Sequence, residues 1–214
     1  MAPPEPVEHA ARLAALAALW ERWADLGSGL SEVEWLSPTR CTGWDVRAVY
    51  AHHSMLPMVL ATAELPAAAA GTQVLTAARV LLRFNEPDGV AHTMKDGVAS
   101  LAVAQAAGGA EALLARFRGQ APAAIATLRR LDPEQVVVWA TPDTPIAVHE
   151  LVRIVLMEAT VHLLDVYDGL QRPCDVDESI LEHTVKLLAE MTPAVAFIEA
   201  ATGRSADSPL PVLR

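Results

Sequence analysis

The sequence predicts an all-α protein, a four-helix bundle with a long crossing connection and an extra C-terminal helix. Apolar residues recur at three- and four-residue steps along most of the chain, which is the spacing of one helix face. Hydrophobic residues make up 52% of the chain, and much of that share is alanine, a strong helix former. The single strand-like stretch, VVVWATPDTPIAV with its Thr-Pro-Asp turn, predicts a small hairpin or an extended crossover.

The first helix is predicted over residues 8–28, where leucines and tryptophans share one face. Gly27 and Gly29 are expected to end it. A loop follows, in which Trp35 and Leu36 are expected to fold back onto the core.

The second helix is predicted to start at the Trp44–Asp45 turn and to run through VRAVYAHHSMLPMVLATAE. Pro57 lies inside it, which predicts a kink or a stop near His53. Further helices are predicted over residues 73–84, 97–118, 121–131 and 177–200. Pro193 is expected to bend or split the last of these, and the Pro- and Ser-rich tail after it is expected to be loose. We expect one domain over residues 1–214, with its core at about 8–170 and a C-terminal helix and tail over 171–214.

The central helix is predicted over residues 146–170 and is apolar on nearly every side, which is typical of a buried helix. Glu158, His162 and Asp165 nevertheless lie in it at spacings of four and three, so they share one stripe. Ionisable groups inside a buried helix are unfavourable unless they are paired or bind a metal ion. This stripe is the candidate functional site.

Two interpretations of the stripe stay open on the residues alone: a metal site and a hydrogen-bonded packing network. Glu158 and His162 are one helical turn apart and can converge on one ion. A third ligand would come from the second helix, from His52 or His53, which point about 100° apart. Asp165 can accept the free ring N–H of His162, as acidic residues commonly do beside metal-binding histidines.

The other candidate side chains point to no further site. Four histidines are expected to be solvated or capping residues: His9, His92, His149 and His183. The tryptophans are expected to lie in the core or in pocket walls. The G-x-S-x-G, GxGxxG and P-loop patterns do not occur in the sequence.

The formal net charge of −10 argues against nucleic acid and anionic membranes as partners, because phosphate groups need clustered cations. The sequence also lacks the roughly 20 uninterrupted apolar residues of a membrane span and the pattern of a signal peptide. Cys41 and Cys174 are too few for a disulfide framework, and neither is singled out for a function. We expect a cytoplasmic protein that acts on a small molecule; its oligomeric state is open, with a homodimer as one option.

Two segments resemble the signatures of a known family. TRCTGWDVRAVYAHH is similar to the C-x-GW-x-V-x-DVLAHL segment of the DinB-like helical-bundle superfamily, and more specifically of the N-terminal domain of mycothiol-dependent maleylpyruvate isomerases. LVRIVLMEATVHLLDVYDGL resembles that family's second signature, an Arg followed by Glu-x-x-x-His-x-x-Asp. The resemblance covers roughly residues 8–170.

The resemblance implies an up-down-down-up DinB-like bundle with a divalent metal ion, usually zinc, between its helices. The ligands of that ion fall on His52, Glu158 and His162, and the final Asp of the motif falls on Asp165. The resemblance also implies that the metal binds and activates the thiol of mycothiol, a low-molecular-weight thiol of actinobacteria. The implied activity is that of a metal- and mycothiol-dependent transferase or isomerase, and no further catalytic residue is assigned.

The sequence departs from the family pattern in three ways. His53 stands where the family has Leu, Ala48 stands where it has Asp, and only residues 171–214 follow the second signature, where the isomerases carry a further domain. These departures leave the substrate open. The alternatives are a metal-dependent hydrolase or biosynthetic tailoring enzyme that uses no mycothiol, and a non-catalytic bundle that binds a small ligand.

Overall fold

A computed structural model gives the structure of the protein and describes residues 6–62, 65–69, 71–141, 144–205 and 210–212. Over these residues the chain is all-α apart from one two-stranded hairpin, which confirms the predicted fold class. The up-down-down-up order of the bundle and the extent of a single domain stay predictions.

The elements follow one another in a largely helical order. The helices are α1 (Pro6–Ser28), α2 (Glu32–Trp35), α3 (Val46–His53), α4 (Met55–Thr62), α5 (Ala77–Phe84), α6 (Val90–Thr93), α7 (Lys95–Ala106), α8 (Gly109–Ala115), α9 (Ala121–Arg130), α10 (Val148–Gly169), α11 (Glu178–Glu190) and α12 (Ala194–Ala201), with a π-helical segment at Arg116–Gln120. The strands are β1 (Val136–Val138) and β2 (Pro145–Ala147).

Helix α1 ends where the sequence predicts, but Gly27 does not end it. The helix continues through Gly27 to Ser28. A Cβ atom on Gly27 would lie 2.6 Å from Leu114 Cδ2 and 3.0 Å from the ring of Tyr50. Gly27 therefore allows close packing of other core side chains against α1.

The predicted break in the second helix is confirmed. The Asp45 carboxylate caps α3 by accepting the Ala48 N–H at 2.7 Å. α3 ends at His53 and α4 begins at Met55. The reason is Pro57, which has no N–H to donate to the carbonyl four residues earlier. The break lies directly after the His52–His53 pair.

The strand-like stretch forms a small hairpin, which is one of the two predicted alternatives. β1 and β2 pair antiparallel, with Val137 opposite Ile146, and both of these side chains are fully buried. The Pro142 and Asp143 of the predicted turn lie outside the described residues. The hairpin leads directly into the start of α10.

Helix α10 is the buried central helix that the sequence predicts. Every residue from Val148 to Met157 is buried, so this half of the helix has no wet face. α10 packs against α1, α3, α5 and α11. Trp23 of α1 donates its indole N–H to the carbonyl of Ala159 at 3.1 Å, which fixes the two helices against each other.

Some predicted boundaries change because of local capping. The helix predicted over 73–84 begins at Ala77, because the Thr76 hydroxyl accepts the Arg79 N–H at 3.3 Å and caps it there. The helix predicted over 97–118 is divided between α7 and α8 at Gly109, whose φ of 81° interrupts the helical backbone. Pro193 separates α11 from α12 as predicted.

Three predictions about side chains are wrong. Leu36 is 54% exposed, whereas Trp35 is buried, because the single turn of α2 directs only one of the two at the core. His9 and His149 are buried rather than solvated, because the ends of α1 and α10 are covered by other elements. His149 Nδ1 lies 2.9 Å from the carbonyl of Pro133. Part of the tail predicted to be loose, residues 206–209 and 213–214, lies outside the described residues.

Within the described part of the chain, no single helix is both long and apolar enough to cross a membrane. One pair of consecutive helical segments, Lys95–Ala106 and Gly109–Arg130, is together long and apolar enough, but the two segments are bent by 105° relative to each other.

A buried ion-pair network joins α5, α10 and α11. The Glu150 carboxylate accepts the Ala77 N–H at 2.6 Å and Nη1 of Arg153 at 3.1 Å. Arg153 also donates to Glu190 at 2.6 Å. Burial alone raises the pKa of Glu150, but hydrogen bonds from His149 and Ala77 and the charge of Arg153 outweigh burial and lower that pKa to about 2. The network stabilises these helix contacts as long as Glu150 is ionised.

Replacing Glu150 with Gln is expected to lower the free energy of unfolding at pH 7 by about 2–4 kcal/mol, because Arg153 loses a buried counter-charge. The unfolded carboxyl takes up its proton near pH 4.5 and the folded one near 2. The stabilisation by Glu150 is therefore complete above pH 4.5 and is lost as the pH falls toward 2. In urea titrations, the difference between wild type and Glu150→Gln should shrink over that window.

The matched control is Glu182→Gln, at an exposed position of α11. It should change the free energy of unfolding by less than about 0.5 kcal/mol at any of these pH values. An equal loss of stability in both variants would show that the network contributes nothing specific.

Candidate metal centre

Helices α3 and α10 bring together three side chains of the types that bind metal ions. One donor atom each from His52, Glu158 and His162 lies within 4.8 Å of the other two. His162 Nε2 is 3.3 Å from Glu158 Oε2, since a spacing of four residues places the two side chains one turn apart on one face. The structure thus juxtaposes the three predicted ligands; their binding to a metal ion stays a prediction.

Only one of the two adjacent histidines faces this cluster. The ring centroid of His52 is 4.9 Å from that of His162. His53 is fully buried on another side, where its Nε2 accepts the indole N–H of Trp20 at 3.0 Å and its ring stacks on Trp23. Neighbouring helical residues point about 100° apart, which explains the division of roles. His53 belongs to the core.

Asp165 fixes the orientation of the His162 ring. His162 Nδ1 donates to Asp165 Oδ2 at 3.0 Å, and the carboxylate is buried. Arg40 Nε donates to the other oxygen of Asp165 at 2.6 Å, and the thiol of Cys41 donates to Oδ2 at 3.2 Å. A carboxylate held by these donors keeps His162 Nε2 directed toward Glu158.

The roles of Arg40 and Cys41 were missed in the sequence, and the prediction that Cys41 has no special place is wrong. The two residues precede α3 and lie 125 and 124 positions before Asp165, so no helical spacing links them. Their one signal in the sequence is that they belong to the TRCTGW segment of the first signature. Cys41, His162 and Asp165 form a second group with donor atoms within 4.8 Å of one another, so the His162 ring joins both groups.

The electrostatics of the cluster favour a cation. Burial, followed by the charge of His162, lowers the pKa of His52 to about 4, so His52 is neutral at pH 7 and has a free lone pair. Burial alone lowers the pKa of His162, but its contacts with Asp165, Cys41 and Glu158 outweigh burial and raise that pKa well above its usual value. Since Nδ1 is bonded to Asp165, a positive charge is favoured between Nε2 and Glu158, either a proton or a metal cation.

These donors fit a divalent metal ion. Two imidazoles and one carboxylate are a known zinc set that leaves a fourth position open. The neutral ring of His52 and the carboxylate contact on the far side of His162 are the arrangement that metal-binding histidines usually have. The burial of the groups agrees with both interpretations of the stripe, but the convergence of three donor atoms favours the metal site.

A cavity of about 460 Å³ adjoins the cluster, and His52 and Glu158 form part of its wall. The rest of the wall comes from α4, α5, α7, α10 and the chain after β1. Trp139 lines it, as expected for one of the predicted pocket-wall tryptophans. Small molecules can therefore reach the side of the cluster that these two residues form.

Fold and site together define the class: a largely helical protein with clustered side chains suited to a metal ion. The sequence profile of the family described as "Mycothiol maleylpyruvate isomerase N-terminal domain" matches residues 16–167. The chain belongs to this family, as the two signatures predict. Comparisons with curated proteins and with solved structures gave no match.

Replacing Asp165 with Asn is expected to weaken metal binding by about 10- to 100-fold, because His162 loses the charged acceptor that orients its ring. Competition with a chromophoric chelator measures the affinity. Asp168→Asn, at an exposed position of the same helix, is the control and should bind as the wild type does. Equal affinities of the wild type and Asp165→Asn would contradict the orienting role.

Proposed function

We propose that this protein is a metal-dependent, thiol-dependent transferase or isomerase that acts on a small molecule, with mycothiol as the thiol. The observation that carries the proposal is the convergence of His52, Glu158 and His162 beside an open cavity. Membership of a family whose name includes mycothiol supports the choice of thiol. We assign the three residues as ligands of a divalent ion, with zinc expected from the donor types.

The ion would convert a bound thiol into its thiolate, which is the nucleophilic form. The protein supplies the other requirements. Asp165 holds the His162 ring, and burial keeps His52 neutral and available as a ligand. The largely apolar wall of the adjoining cavity is the surface on which a second substrate would meet the thiol.

The chemistry balances without an oxidant or a reductant. In an addition to an activated double bond, the S–H bond breaks, sulfur bonds to the electrophilic carbon, and the proton ends on the neighbouring carbon. Rotation about the resulting single bond and reversal of the addition give an isomerisation. In a substitution, the leaving group departs with its electron pair and the thiol proton passes to solvent. The family name specifies isomerisation of maleylpyruvate, and we do not extend that substrate to this chain.

The net charge of −10 supports a small molecule, rather than nucleic acid or a membrane, as the binding partner. A cytoplasmic location and use in an actinobacterial cell are part of the same proposal, because that is where mycothiol is available.

Replacing His162 with Ala is expected to abolish metal binding, because the ring contributes one of the proposed ligands. Untagged wild-type protein from zinc-supplemented cultures should contain about one equivalent of zinc, and the variant less than about a tenth. Elemental analysis measures both. His92→Ala, at an exposed histidine of α6, is the control. A wild-type protein with less than about a tenth of an equivalent of any transition metal would refute the metal proposal.

Mycothiol is expected to raise the melting temperature of the metal-loaded protein. A ligand at about 100 times its dissociation constant stabilises the folded state by about 2.7 kcal/mol. For a chain of this length that is several degrees, and thermal-shift titration detects it. S-methylated mycothiol should not shift the melting temperature of the wild type. Mycothiol itself should not shift that of the His162→Ala variant. A metal-loaded protein that shows no shift at millimolar mycothiol would instead favour a metal-dependent hydrolase or tailoring enzyme.

A further inference from the structure

The cavity beside the candidate metal centre has an almost wholly apolar wall. Its volume, about 460 Å³, lies within the roughly 300–1,000 Å³ range of small-molecule sites. Most surrounding elements contribute apolar side chains, among them Leu56 and Val59 of α4, Phe84 of α5, Leu101 of α7 and Trp139 after β1. The cavity is built from six parts of the chain, namely α3, α4, α5, α7, α10 and the segment after β1, and is therefore a defined site rather than a gap along one helix.

Among the described residues of the wall, His52 and Glu158, the two candidate ligands, have the only ionisable side chains. Among the described residues that line the cavity, none is Arg or Lys. Buried carboxylates and phosphates are normally recognised by such cations. A charged group placed along the apolar wall would lose its hydration without gaining a partner, which is strongly unfavourable. The wall therefore selects against charged ligands.

We propose that this cavity binds the second substrate of the reaction, and that this substrate is an uncharged, largely apolar small molecule. The proposal rests on the proposed function, because it assigns the cavity to the partner of the thiol. The electrophilic carbon of the substrate lies at His52 and Glu158, and its ring or branched chain lies against the apolar wall. A dicarboxylate does not meet these conditions.

The composition of the wall fits a ring or a branched chain. Phe84 and Trp139 offer aromatic surface from two different elements, and Met55 adds a flexible thioether that adapts to the shape of a ligand. Val59 and Leu101 line the cavity and are 37% and 41% exposed, so they mark its open side. A ligand enters past these two side chains.

A matched pair of fluorescent dyes tests the selection by charge. N-phenylnaphthylamine is neutral and apolar, and anilinonaphthalene sulfonate has the same ring system with one added sulfonate. The protein as purified should bind the neutral dye saturably, at least about tenfold more tightly than the sulfonate. The His162→Ala variant should keep this preference, since His162 does not line the cavity. That variant also separates dye binding from the metal, so this inference and the proposed function can fail independently.

A positive charge placed at the open side should weaken the preference for the neutral dye. In Leu101→Lys the sulfonate gains a partner, and the ratio of the two affinities should fall at least about fivefold. Val103→Lys is the control: it lies two residues away on the same helix, is 61% exposed and does not line this cavity. Both substitutions replace exposed side chains, so neither depends on repacking of the core.

Filling the cavity should remove the binding site. Leu56→Trp is expected to weaken binding of the neutral dye at least about tenfold. Val185→Trp, on the exposed face of α11, should leave the affinity for this dye unchanged. Equal or tighter binding of the sulfonate, in the protein as purified or in His162→Ala, would overturn the proposal. Non-saturable binding of the neutral dye would also overturn it. So would equal ratios of the two dye affinities in Leu101→Lys and Val103→Lys.

Discussion

The burial of charge inside α10 is the constraint on which the rest of this structure depends. An apolar helix in the centre of a bundle can carry ionisable groups only where other elements neutralise them. Arg153 is paired with carboxylates from its own helix and from α11, and Asp165 is held by Arg40. The positions of α5, α11 and the loop before α3 are therefore tied to the polar residues of α10 as well as to its apolar ones.

The two polar regions of α10 differ in whether their charged groups are fully paired within the protein. In the first, Glu150 has donors from Arg153 and from the backbone of Ala77, so the charges are satisfied within the protein. In the second, His162 lies between two carboxylates while the neighbouring His52 is neutral. The two carboxylates favour a positive charge at His162, either a proton or a metal cation. The first arrangement stabilises the fold, and the second has the capacity to bind a cation.

Local patterns in the sequence predicted most of the helices and two of the three clustered residues, Glu158 and His162, whereas the choice of His52 over His53 came from the family resemblance. Helical periodicity, Pro57 and the four-residue spacing on α10 are properties of neighbouring residues, and a single chain displays them directly. The contacts of Arg40 and Cys41 with Asp165 depend on how distant segments pack, so spacing does not reveal them. The same limit explains why the cavity was not predicted: its wall is assembled from six parts of the chain that are far apart in the sequence.

On α10, a candidate ligand and the cavity wall share one face, because Ile154 precedes Glu158 by four residues. Near the other candidate ligand on the cavity wall, His52 at the end of α3, the wall continues with Leu56 of α4. The ion and the substrate would thus be held by neighbouring helical surfaces. Since reacting atoms must meet to within a fraction of an ångström, core packing between these helices sets the reaction geometry. A substitution that shifts α4 against α10 would then impair the reaction even where the protein stays folded and keeps its metal.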